Sequence, residues 1–166
     1  MLTLSPDRWS DHPHFPRQTL LLRSHDNFRH VSSVLIARAE RGGDALGIGW
    51  VFRSWKAAMR SHEGYEEHKL YPFLERRWGL SMAPAEAGHR RLAELDVSVR
   101  DAVGAGPAEP ELLDALRAHD TELCAHLDLE ERLVIPALLA LEPNEFDTYT
   151  SSGIRSLLRG LAERGL

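Results

Sequence analysis

The chain has 166 residues, 43% hydrophobic and 27% charged, which suits one globular domain with a sizeable core and no need of disulfide staples. With 20 Lys+Arg against 25 Asp+Glu it lacks the basic excess that binding to a phosphate backbone draws on, which argues against nucleic acid as a partner. The single cysteine, Cys124, excludes an intramolecular disulfide and a Cys-rich zinc knuckle and fits a reducing compartment, so any metal must be held by the nine histidines and by carboxylates.

The N-terminus has no cationic region followed by an apolar run, and no stretch approaches the ~20 apolar residues of a membrane span. The expectation is a soluble, cytoplasmic protein with no membrane partner. Four long segments then show helical periodicity. The first runs from about Pro16, a plausible first-turn proline, to the stop at Gly42-Gly43. Asp44 can cap the second, which continues to Trp78-Gly79 with Pro72 in its last turns. The third starts between Ser81 and Pro84 and ends at GAGP, residues 104–107. The fourth runs from Pro110 to about Leu141 with Pro136 in its last turns. EPNEFDTYTSSG reads as polar and turn-rich, and a short additional C-terminal helix over about 152–164 places Ile154, Leu157, Leu158 and Leu161 on one stripe. Long helices with short joints predict an all-α fold: an up-down-up-down antiparallel four-helix bundle in a single domain spanning 1–166. The last helix is placed on that bundle or on a second copy of the chain, which would make a homo-oligomer.

The chain also matches itself. At an ungapped offset of 64 residues, His25 meets His89, Gly42 meets Gly106, Arg53 meets Arg117, His62 meets His126, Glu66 meets Glu130, Glu67 meets Glu131, Pro72 meets Pro136 and Leu74 meets Leu138. Eight identities over residues 25–74 compare with about three expected from residue frequencies. The pattern is that of a duplicated helix pair with a pseudo-twofold relation.

Each half carries a lone histidine on its first helix and His-x-x-x-Glu-Glu late in its second. Positions four apart share a helix face, so His62 projects with Glu66 and His126 with Glu130. All four histidines sit on apolar stripes, beside Leu21 and Phe28, Trp55 and Met59, Leu92, and Leu123. In an antiparallel bundle they fall at one end, converging with two carboxylates inside an apolar core. Such a group is costly to bury unsatisfied, and a pair of divalent metal ions satisfies it; hydrogen-bonded core histidines without metal are the alternative. The spacing of ferritin-like sites, Glu-x-x-His, occurs here only at Glu86 and His89, and structural zinc seldom needs six ligands. Six nitrogen and oxygen donors suit two iron ions, ahead of manganese. His30 and His68 point away from the ligand faces, and His12 and His14 lie in the N-terminal arm. Glu63, Glu67 and Glu131 are either additional ligands or solvent-facing charges. Seven residues inward of the four histidines lie Ser32, Trp55, Asp96 and His119, about 10 Å away at 1.5 Å rise per residue. Asp96 should meet His119, and Arg29 could pair with Glu122, as a polar relay or as a structural network.

LLRSHDNF, MRSHEGYEEHKLYPFLE, EAGHRRLAEL and LCAHLDLEERLVIPALLAL together resemble the ligand helices of the hemerythrin-like, or HHE cation-binding, domain over roughly residues 17–141. The resemblance implies a non-haem di-iron centre, oxo- or hydroxo-bridged, with His25 and His62 on one iron, His89 and His126 on the other, and Glu66 and Glu130 bridging. Oxygen carriers of that family have a fifth histidine four residues after the third, where this chain has Ala93. That departure points away from reversible oxygen carriage and towards a centre that binds, senses or reacts with O2, peroxide or NO. Turnover as a peroxide- or oxygen-processing enzyme is left open. The alternative is a non-catalytic iron-responsive or iron-binding module that acts through a protein partner.

Overall fold

The computed structural model describes residues 5–151, all of its regular elements helical. After a 3-10 turn over Pro6–Asp11, the helices are α1 (Phe15–Gln18), α2 (Leu20–Glu40), α3 (Ala45–Tyr65), α4 (Tyr71–Trp78), α5 (Ala83–Asp101) and α6 (Pro110–Leu139). A π-helical turn over Glu66–Leu70 joins α3 to α4. Four long helical rods, with α3 and α4 counted as one, fit a four-helix bundle. The C-terminal helix expected over 152–164 lies outside the described residues. No described helix is long and apolar enough to cross a membrane.

The helix ends follow local chemistry. Asp44 caps α3, its carboxylate accepting the Gly47 N–H at 2.7 Å. Gly42 (φ 66°) turns the chain out of α2 in the left-handed region, with Gly43 N–H returning to the Arg38 carbonyl. Three boundaries depart from expectation. The first helix is broken at Thr19, whose hydroxyl bonds the Phe15 carbonyl at 2.6 Å and competes with the helical ladder. Residues 143–151 are helical instead of turn-rich. There Glu145 reaches back to the Glu142 N–H at 3.3 Å and Pro143 occupies the first turn, a cap that a search for Ser or Thr overlooks. The π turn is the third. Pro72 has no N–H to give and its ring crowds the carbonyl four residues back, and just before it the Tyr71 N–H reaches five residues, to the Glu66 carbonyl.

The described residues form two compact units, 5–20 with 132–151 and 21–131. In the first, Trp9 and Phe146 are buried, Gln18 donates to the Leu141 carbonyl at 3.1 Å, and Arg17 pairs with Asp147. The second holds the main core: Phe28 and Leu35 of α2, Ile48, Phe52, Trp55 and Met59 of α3, Leu92 and Val99 of α5, and Leu112, Leu116, Leu123 and Leu127 of α6. Its two equivalent joints pair with each other, Ala45 N–H to Gly106 O at 2.9 Å and Ala108 N–H to Gly43 O at 2.8 Å. Gly106, at φ 99°, adopts a backbone that glycine alone takes readily.

Candidate metal centre

All six expected residues lie in the larger unit, and the structure brings them together. His25 comes from α2, His62 from α3, Glu66 from the first position of the π turn, His89 from α5, and His126 and Glu130 from α6. His25, Glu66 and Glu130 are completely buried, His89 and His126 nearly so, and His62 partly. The Nε2 atoms of His25 and His62 approach to 3.2 Å. The His89 and His126 ring centroids are 4.6 Å apart.

Each carboxylate spans the two halves. Glu66 Oε1 lies 2.8 Å from His62 Nε2 and 3.8 Å from His25 Nε2, while its Oε2 lies 3.5 Å from His89 Nε2. Glu130 Oε2 is 3.5 Å from His25 Nε2 and 3.8 Å from His126 Nε2. Donor atoms of His25, His62 and Glu66 all lie within 4.8 Å of one another, close enough to hold one ion.

This set fits a metal cation. Both oxygens of Glu66, Glu130 Oε2 and His89 Nε2 are buried without a hydrogen-bond partner, a state that costs about 1–3 kcal/mol for each group left in a core. Nitrogen and carboxylate oxygen together suit a first-row divalent ion.

The outer nitrogens are held by residues whose role the spacing leaves undecided. His25 Nδ1 faces Glu131 Oε1 at 2.9 Å, and His89 Nδ1 faces Glu67 Oε1 at 2.8 Å. Under the 64-residue repeat these are equivalent contacts, and each crosses from one half to the other. The second glutamate of each Glu-Glu pair therefore receives the Nδ1 proton of the opposite half's histidine. That selects Nδ1 as the nitrogen that keeps its proton when the imidazole is neutral, so Nε2 is the one left to bind a cation, the usual arrangement behind a metal-bound imidazole. Glu131 also takes Arg29 Nη1 at 2.8 Å, and Arg29 Nη2 reaches Asp128 at 2.8 Å. The expected Arg29–Glu122 pair does not form, because Glu122 takes Arg91 at 2.6 Å.

Glycine supplies the last clearance. A Cβ on Gly88 would stand 2.4 Å from His126 Nδ1, so α5 admits the imidazole only because position 88 is bare.

Charge in the metal-free cluster is unevenly spread. Burial opposes ionisation of His25, but Glu131, Glu66 and Glu130 outweigh it and raise the group to about 9. His89, against the same burial, is raised to about 9 by Glu66 and Glu67. Burial and then the His89 charge push His126 down to about 3. Burial also works against ionised Glu66, yet the imidazoles of His25, His62 and His89 hold it well below the carboxylate range. Burial and the charge on Glu66 push Glu130 up to about 8. The metal-free site thus keeps one carboxylate ionised and the other protonated.

Deeper in the unit, His119 Nε2 meets Asp96 Oδ1 at 3.1 Å, as the spacing predicts. Lys56 joins them. It is 3% exposed, with Nζ 3.3 Å from Asp96 Oδ1 and 3.5 Å from Glu63 Oε1. Its place seven residues before Glu63, on the face of Met59, was the available signal. His30 and His68 are exposed, the latter's Nδ1 donating to the Gly64 carbonyl at 2.8 Å.

The model of the hemerythrin HHE cation binding domain matches residues 18–138. No curated protein and no solved structure matches the chain.

Proposed function

This chain belongs to the hemerythrin HHE cation-binding domain family, and from that premise we propose that it is a non-haem di-iron protein that binds, senses or reacts with O2, peroxide or NO. His25 and His62 would hold one ion and His89 and His126 the other, with Glu66 and Glu130 shared between them. The observation that carries this reading is the set of buried, unpartnered carboxylate oxygens placed between histidine nitrogens of both halves. When bound, the ions would supply Lewis acidity and one-electron redox steps to a small oxidant.

The chain's own residues do the rest. Glu131 and Glu67 keep the two Nδ1 protons out of the site, Gly88 makes room for His126, and the apolar walls of Phe28, Met59, Leu92 and Leu123 limit access of bulk water. Ala93 is exposed on α5 and offers no donor, so neither ion would receive a third imidazole. Equal imidazole counts favour a reactive or sensing centre over reversible carriage. We read the rods as up-down-up-down, a reading supported by the paired joints, and the site of action as the cytoplasm, on the strength of the lone Cys124.

Metal analysis of the purified chain should give about two irons per chain with near-ultraviolet charge-transfer absorption. Metal content well below that overturns the reading. Consumption of added peroxide would then assign turnover, and its absence a sensing or iron-responsive role.

A further inference from the structure

Tyr71 touches three of the six site residues by three different means. Its backbone N–H reaches the Glu66 carbonyl through the π turn. Its ring stacks on His89, with centroids 5.9 Å apart and planes at 14°. Its hydroxyl, fully buried, donates to Glu130 Oε1 at 2.7 Å. The consequence shows in the two carboxylates. Glu66 has both oxygens unpartnered, one towards each half, whereas Glu130 has only Oε2 left, and that one atom faces both His25 and His126. The position 64 residues after Tyr71 is Ile135, which has no hydroxyl to donate, so the repeat does not supply this contact twice.

We propose that Tyr71 is a positioning residue that restricts Glu130 to a single metal-facing oxygen, so that room for a small anionic or diatomic ligand is kept on the Glu130 side of the centre. The proposal rests on the metal reading above. A phenol donating to one carboxylate oxygen occupies it and fixes the rotation of the group, which a bare carboxylate in an apolar core would resolve by turning both oxygens to the cations. The same contact explains why a tyrosine is buried here at the head of α4: its hydroxyl has a partner and its ring has the imidazole face.

The test uses the full chain loaded with iron(III) and titrated with azide, followed by the azide-to-iron charge-transfer band. Tyr71→Phe should still take up two irons, yet bind azide about 10-fold more weakly, because the freed oxygen of Glu130 competes for the ligand's place. Azide affinity within about twofold of the wild type overturns the role given to Tyr71. Should Tyr71→Phe fail to fold, Tyr71→Ile, which copies the residue the other half carries, is read in the same way. A wild-type chain that binds fewer than two irons overturns the metal reading, and that result is in hand before any variant is made.

Discussion

His25 and His89 occupy equivalent places in the two halves, and each has its Nδ1 held by a glutamate of the other, yet the supports behind those glutamates differ. Glu131 is 14% exposed at its side chain and is itself gripped by Arg29, while Glu67 is 40% exposed. The residue 64 positions after Arg29 is Ala93, so the second half has no guanidinium at the corresponding place. The carboxylates diverge in the same manner. Glu66 stays ionised with an oxygen turned to the imidazoles of each half, and Glu130 is pushed up to about 8 and tied to Tyr71. The duplication fixes which residue types surround the centre, and the unduplicated neighbours Arg29, Tyr71 and Gly88 set how each behaves. Two metal positions with identical imidazole counts can therefore differ in rigidity and charge.

The largest expected break of this comparison is Glu66→Ala. Because Glu66 faces imidazoles of both halves, its loss should strip metal from both positions, with affinity falling more than about 100-fold, beyond the cost of losing one outer hydrogen bond. His62→Ala should cost mainly one ion. Calorimetric titration with iron(II) counts the sites; a Glu66→Ala chain that keeps one tight site would show that the halves bind independently.

Glu131→Gln and Glu67→Gln come next. Each should weaken metal binding by about 10- to 100-fold, and Glu131→Gln by more, since it also strands Arg29. Competition with a chelator measures both, and equal losses would mean that Arg29 adds nothing.

Gly88→Ala should destabilise the protein by about 1–3 kcal/mol through the clash with His126, read as a lower melting temperature. Its counterpart in the first half is Ser24, where a side chain is already present, and Ser24→Ala should change little.

The smallest effect is the pH dependence of the metal-free chain. His25 and His89, raised from 6.5 to about 9, contribute stability that is full below pH 6.5 and lost as pH rises through about 9. Glu130, raised to about 8, binds a proton that the unfolded chain has already released above pH 4.5, so its contribution also falls as pH rises towards about 8. His126, lowered to about 3, acts the other way only below pH 6.5, where the unfolded chain takes up a proton and the folded one does not. The melting temperature of the metal-free protein should fall progressively from pH 6.5 to pH 9. Glu130→Gln should flatten the part of that drop below pH 8.

The helices and the six central residues were legible because both rest on periodicity. Four-residue spacing puts His62 with Glu66 and His126 with Glu130, and glycines and prolines mark the joints. What spacing on a single helix cannot show is the partner across the bundle. Glu67 and Glu131 follow Glu66 and Glu130 by one residue, about 100° around the helix, and read as either additional ligands or solvent charges until His89 and His25 are found beside them. Tyr71 is hidden for a related reason: a π turn just before Pro72 aims it, and since the equivalent Pro136 lies inside an unbroken α6, the proline alone does not announce the turn. Arg29 and Glu122 both face inward on the spacing argument, but closer partners of opposite charge claim each of them first.

The crossing of Glu131 to His25 and of Glu67 to His89 makes each half depend on the other. A helix pair of this pattern standing alone would own the second glutamate but lack the histidine that glutamate serves, and its own first histidine would be left without support. Two copies docked face to face complete each other reciprocally, as an isologous dimer does. The centre therefore has the two-fold reciprocity of an isologous assembly carried within one polypeptide, and because both halves belong to one chain, positions 29, 71 and 88 need not match positions 93, 135 and 24.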